Sequence, residues 1–85
     1  MNIRNVVEEN IDSSFPWGYF NGSSVGDPQL CGAGGLLYIS VDHFYTFKAS
    51  LGTGSNNFAK IMALKLLLTL ALENHISNLQ IFRDS

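Results

Sequence analysis

Cysteine is nearly missing from this chain. Cys31 is the only one among 85 residues, so no intrachain disulfide forms and a reducing compartment is the expected setting. A lone cysteine with no matched histidine carries no nucleophile signature, and Cys31 reads as a small packing residue in a glycine-rich stretch. A basic excess is missing as well. Five Lys and Arg stand against seven Asp and Glu, a net charge of −2 with pI near 5.4, which excludes a strong, charge-driven nucleic-acid binder but leaves room for a weak one. Charged residues make up 14%, below the usual ~25% of globular domains. Long apolar runs are absent too. The run from Ile61 to Leu72 contains Lys65 and falls short of the ~20 residues that span a bilayer. The opening stretch, MNIRNVVEENID, carries acidic residues and no apolar core, unlike a secretory signal. A small single domain is expected, soluble and intracellular, in nucleus or cytoplasm, with no membrane partner.

Clusters that carry chemistry are also scarce. Glu8, Glu9 and Asp12 lie near the start, Asp27 and Asp42 in turns, and Glu73 on the polar side of a helix. Asp84 alone sits at the end of an expected buried strand, so the residues propose no converging set of carboxylates of the kind that metal-dependent hydrolysis needs. His43 and His75 are separated by a long helix and make no metal pair; His75 suits the last helix carbonyls better. The Gly52-Thr53-Gly54-Ser55 stretch lacks the Gly-Lys-Ser/Thr ending of a phosphate loop.

The strongest positive signal is Ser55 to His75. At ~100° per residue, Ala63, Leu64, Leu67, Leu68 and Ala71 gather on one side, with Lys65, Thr69 and Glu73 opposite. Ser55 or Asn56 is the expected N-cap. Lys60 falls in the middle of the apolar side, where an ammonium needs a counter-charge or a path to water. Strands are expected at Trp17–Phe20, Leu36–Val41, Phe44–Ala49 and Leu79–Phe82. The first is expected to stop at Asn21-Gly22-Ser23-Ser24, and Asp42-His43 is the expected turn between the second and third. The order is β-β-β-α-β. It implies a three-stranded antiparallel meander, one long helix, and a fourth strand parallel to the first through a right-handed crossover. Residues 1–14 are expected to be a mobile N-terminal arm, and 15–85 the domain.

Taken together, WGYFNGSS, GDPQLCGAGGLLYIS, HFYTFKASLGTGSNNFAKIMALKLLL and LQIFRDS resemble the N-terminal two-thirds of a ribonuclease H domain. The likeness is to the reverse-transcriptase-like branch common in plant retroelements, and it runs from Trp17 to Ser85. It implies an incomplete α/β fold of that type. The family's activity is metal-dependent cleavage of RNA in RNA–DNA hybrids, with four acidic residues holding two divalent ions. Carried over, the first acidic position falls on Asn21, the helix glutamate on Lys60, and the third on Asp84, the one match. The fourth has no counterpart.

The resemblance therefore implies a hybrid-ribonuclease ancestry without the chemistry. Asp84 brings one negative charge and Lys60 cancels it, so no catalytic metal, and no other cofactor, is expected. Lys60 and Asp84 are expected to pair where the metals would lie, with Asn21 hydrogen-bonded beside them. Backbone contact with a hybrid is expected at Gly22, Ser23, Asn56 and Asn57, weak and salt-sensitive. Without the family's last strand, Leu79 and Ile81 are expected on an exposed sheet edge open to self-association. The alternative reading is a protein-interaction fragment or a retroelement remnant with no function of its own.

Overall fold

Two glycines and three alanines set how the chain packs. The buried stripe of the helix is Ala59, Ala63, Leu67 and Ala71, each with no exposed surface. The strand beneath it offers Gly18 and Gly22. A Cβ on Gly18 would lie 2.8 Å from Leu67 Cδ1, and one on Gly22 would collide with the carbonyl carbon and oxygen of Ala59. Small residues on both sides bring helix and sheet unusually close.

The computed structural model describes residues 1–83. Its elements are β1 (Asn2–Asn5), a 3-10 turn (Glu8–Asn10), β2 (Trp17–Val25), β3 (Leu30–Ser40), β4 (His43–Thr53), α1 (Asn56–Glu73) and β5 (Asn78–Arg83). The sheet order is β1-β5-β2-β3-β4. β2, β3 and β4 form the antiparallel meander, and β5 lies parallel beside β2. The β-β-β-α-β core thus has the expected topology in a mixed α/β fold. No helix among the described residues is long and apolar enough to cross a membrane.

The strands are longer than their apolar runs suggest. β2 continues through Asn21-Gly22-Ser23-Ser24 instead of stopping there, because Gly22 and Ser24 turn under the helix while Asn21 and Ser23 face out. β3 runs through Gly32, Ala33, Gly34 and Gly35, paired on both sides. There Phe47 covers the bare backbone of Gly35. A bulge shifts the β3–β4 register between Cys31 and Gly32, and the adjacent Gly52 takes φ +76°, a left-handed conformation that suits glycine. Cys31 is a buried packing residue on β3, its thiol 3.5 Å from the Ser55 carbonyl.

The N-terminal segment departs from the expected arm. Asn2–Asn5 pairs in parallel with Asn78–Ile81, and Val6 N–H donates to the Ile81 carbonyl at 3.0 Å. The following stretch is tied down by Gln80, which is 7% exposed. Its side chain accepts from Asp12 N–H at 2.9 Å and donates to the Asp12 carbonyl at 2.8 Å. Asp12 is itself held below the ordinary carboxylate pKa by hydrogen bonds from the Ser14 hydroxyl and N–H, with Arg4 adding to the effect. A buried amide needs such partners, and these residues supply them.

β5 is consequently an interior strand. Leu79 and Ile81, expected on an exposed edge, are 1% and 3% exposed, and the true edges are β1 and β4. β1 covers the side of β5 that was expected to be bare.

Both helix ends are capped. Ser55 accepts from Phe58 N–H at 3.1 Å, as expected. At the other end Ile76 N–H reaches the Ala71 carbonyl and His75 N–H the Leu72 carbonyl, each at 3.1 Å. This is the six-to-one and five-to-two pattern of a Schellman cap. The side chain that caps a carbonyl is Asn74, donating to Leu70 O at 2.8 Å, rather than His75. His75 sits at φ 58°, a left-handed conformation that costs a non-glycine residue about 1 kcal/mol. His75→Gly is therefore expected to stabilise the domain by about that amount, raising Tm by roughly 4–8 °C in a thermal melt.

Candidate functional site

The residues singled out by the sequence meet where β2 runs past β5 beneath the first turns of α1. The β2–β5 register ends at Phe20↔Arg83, one residue before Asn21. Gly22 then passes directly under Ala59, its missing Cβ position also 2.6 Å from Lys60 N. The backbone of the Lys60 position is thereby held against the strand one residue from Asn21. Asp84, with its expected ion pair to Lys60, lies outside the described residues.

Lys60 is exposed, not central on the buried stripe. The stripe is set by the small residues Ala59 and Ala63 over β2, which rotates Lys60 onto the flank shared with Leu64 and Leu68. Those two leucines line a cleft with Ile3, Phe20 and Ile81, so the flank faces β5 and β1. Asn21 is also exposed, and the strand pleat turns it to the opposite face from Gly22 and the helix. Among the described residues no hydrogen bond joins Asn21 to Lys60, and the expected Asn21 contact with the Lys60–Asp84 pair involves Asp84, outside the described residues.

The expected contact residues divide. Ser23 and Asn57 are exposed. Gly22 is buried under α1. Asn56 serves the fold, because its side-chain oxygen accepts from Ser24 N–H at 2.7 Å and from the Ser24 hydroxyl at 3.2 Å. It ties the start of the helix to the end of β2. Ser24 N–H therefore points away from β3, and by the alternation of the ladder the N–H and C=O of Gly22 point to the same side. Asn56→Ala leaves the buried Ser24 amide without its acceptor and is expected to cost about 1 kcal/mol, lowering Tm by roughly 4–8 °C. Asn56→Asp, which keeps the oxygen, is expected to recover most of it in the same melt.

At the two positions that the resemblance assigns to metal ligands, the side chains present do not suit a pair of divalent ions. Asn21 offers a neutral carbonyl oxygen and Lys60 an ammonium, which repels a cation. Among the described residues no group of three or more His, Cys, Asp or Glu converges.

An aromatic row has no counterpart among the sequence expectations. Trp17, Tyr19, Tyr38 and Phe82 form it on the sheet face away from the helix, with Tyr38 stacked on Trp17 at 5.2 Å. Its signal was available in the period-two spacing of Trp17 and Tyr19. Comparison with protein-family models, with curated proteins and with solved structures gave no significant match to this chain.

Proposed function

We propose that the chain is a ribonuclease H-like nucleic-acid-binding module, descended from RNA–DNA hybrid ribonucleases and unable to cut. The supporting observation is the close approach of α1 to β2 at Gly22. It draws together the elements that carry Asn21 and Lys60, the positions to which the resemblance assigns carboxylates. The hybrid would be met by the exposed Ser23 and Asn57 and by main-chain groups at the end of β2. Asn56 orders that edge rather than contacting the ligand. With a net charge of −2, little phosphate neutralisation is available, so affinity is low and falls steeply with salt.

Fluorescence anisotropy of a labelled RNA–DNA hybrid at low and moderate salt tests this reading. Binding is expected at low salt, lost at moderate salt, and weakened by Ser23→Ala with Asn57→Ala. Absence of binding at low salt would sink it. The second reading, a protein-interaction fragment, is favoured by β4, an 11-residue strand that is paired on one side only among the described residues. In that case the hybrid does not bind, and the chain self-associates or takes up an extended segment along β4.

A further inference from the structure

The two edges of the sheet differ in length. β1 closes one side with 4 residues, whereas β4 offers 11, paired among the described residues to β3 alone. Long free edges are usually blunted by charge or proline. β4 holds no proline, and Lys48 is its only Lys, Arg, Asp or Glu. The β3–β4 register fixes the faces. Phe44, Thr46 and Lys48 stand opposite Tyr38, Leu36 and Gly34 on the side away from the helix, and Tyr45 and Phe47 stand opposite Leu37 and Gly35 on the helix side. Phe44 is 57% exposed and Tyr45 37%, and Thr46 and Lys48 are exposed as well.

The pattern of this edge selects its partner. Opposed residues of an antiparallel pair share a face, so a two-fold axis between two β4 strands must pass at a residue position. An axis at Lys48, the middle of the strand, sets ammonium against ammonium, a destabilising pair. An axis at Phe47 leaves Phe44 opposite Ser50 and Tyr45 opposite Ala49. An axis at Thr46 matches every large side chain. Thr46 meets Thr46 of the second copy, Tyr45 meets Phe47, and Lys48 lies beside the ring of Phe44. His43 to Ala49 are then paired, and both copies make the same contacts.

We propose that β4 pairs antiparallel with β4 of a second copy about a two-fold axis at Thr46, joining two sheets into one. This deepens the protein-interaction reading by naming partner and register, and it does not depend on hybrid binding. One strand pair buries less than the ~1,600 Å² of a standard interface, so the dimer is weak and concentration-dependent.

Sedimentation equilibrium of the full chain, from micromolar to millimolar concentration, is expected to show monomer passing to dimer. Thr46→Lys and Thr46→Glu each set like charges on the axis and are expected to weaken the dimer about fivefold or more. Mixing the two variants is expected to restore it, with circular dichroism unchanged throughout. Thr46→Cys is expected to form an interchain disulfide on air oxidation, because opposed Cα atoms lie ~4.5–5.5 Å apart, within disulfide range. Ser50→Cys, on the same face, would lie about 27 Å from its counterpart and is expected not to link. A chain monomeric at every concentration overturns the dimer alone, because β4 then remains open to an extended segment of another protein. The register is overturned if Thr46→Lys dimerises as the native chain does, or if Ser50→Cys links as fast as Thr46→Cys. Self-association then uses another surface, and the protein-interaction reading stands without this one.

Discussion

Gly22→Ala is expected to lower Tm by more than about 10 °C, and to leave much of the protein unfolded at 37 °C. The new Cβ would overlap the backbone carbon and oxygen of Ala59 and lie 2.6 Å from Lys60 N. No rotamer relieves this clash, because the obstacle is main chain. The first turns of α1 must lift from β2, loosening the Ala59–Ala63–Leu67 contact at the centre of the core. Overpacking of this kind costs typically about 1–3 kcal/mol and occasionally more. A loss of about 3 kcal/mol is a large share of the ~5 kcal/mol at the low end of domain stabilities, and corresponds to roughly 12–24 °C in a chain of this size. Gly32→Ala is the control. There the nearest atom to the added carbon is Ala49 O at 3.8 Å, an ordinary contact, and the melt should barely move. Equal melting temperatures for the two variants would mean that the close approach at Gly22 does not set the position of the helix.

The second large effect is a gain. On the proposed reading, Asn21→Asp combined with Lys60→Glu is expected to tighten Mg²⁺ binding, the glutamate on the flank of α1 reaching round the β2 edge beyond Phe20↔Arg83 toward position 21. The change adds three negative charges at the two positions the resemblance assigns to metal ligands. A unit charge about 4 Å from another contributes about 1 kcal/mol even at the dielectric of water, and a divalent ion doubles that figure. Tightening by at least about tenfold is therefore expected, the equivalent of about 1.4 kcal/mol. Calorimetric titration of Mg²⁺ into native, single and double variants reads it. Lys60→Glu alone should give the larger part, since it removes a repulsion as well as adding a ligand. A double variant as indifferent to Mg²⁺ as the native chain would show that these positions do not converge.

Much of the architecture was legible in the residues. LLYISV and FYTFKA are apolar enough to mark strands, and Ser55 and the periodicity after it fix α1. The meander, the crossover and β5 follow from their order. Two kinds of information were not legible. Asn21-Gly22-Ser23-Ser24 looks like a turn because its residue types favour turns, yet each alternate residue has its own reason to be in a strand. Gly22 makes room for Ala59, and Ser24 receives Asn56. Those partners lie on a different element, far along the chain. β1 carries no buried side chain, so only its backbone pairing with β5 reveals it.

The candidate site shows the same division. The identities of Asn21 and Lys60 were readable directly, and the charge conflict they imply follows only from the resemblance. Their geometry was not legible. The helical wheel centred the apolar side near Lys60 because it weighed Leu64 and Leu68 equally with the alanines. In the fold, the alanines lie deepest, since only small side chains fit over Gly22, and Lys60 turns outward. The aromatic row depends on β5 joining β2 edge to edge, a contact between Phe82 and Trp17 that no local pattern encodes.

Whether this fold holds a hybrid without cutting it can be decided in a single assay. The purified full chain is mixed with an end-labelled RNA–DNA hybrid at low salt, with Mg²⁺ or with a chelator. Retention and strand integrity are read on native and denaturing gels. The expected result is a retarded hybrid, equally retained with and without Mg²⁺, with its RNA strand intact. Mg²⁺-dependent shortening of the RNA strand, or a hybrid that is not retarded at all, would contradict a binding module that has lost its chemistry.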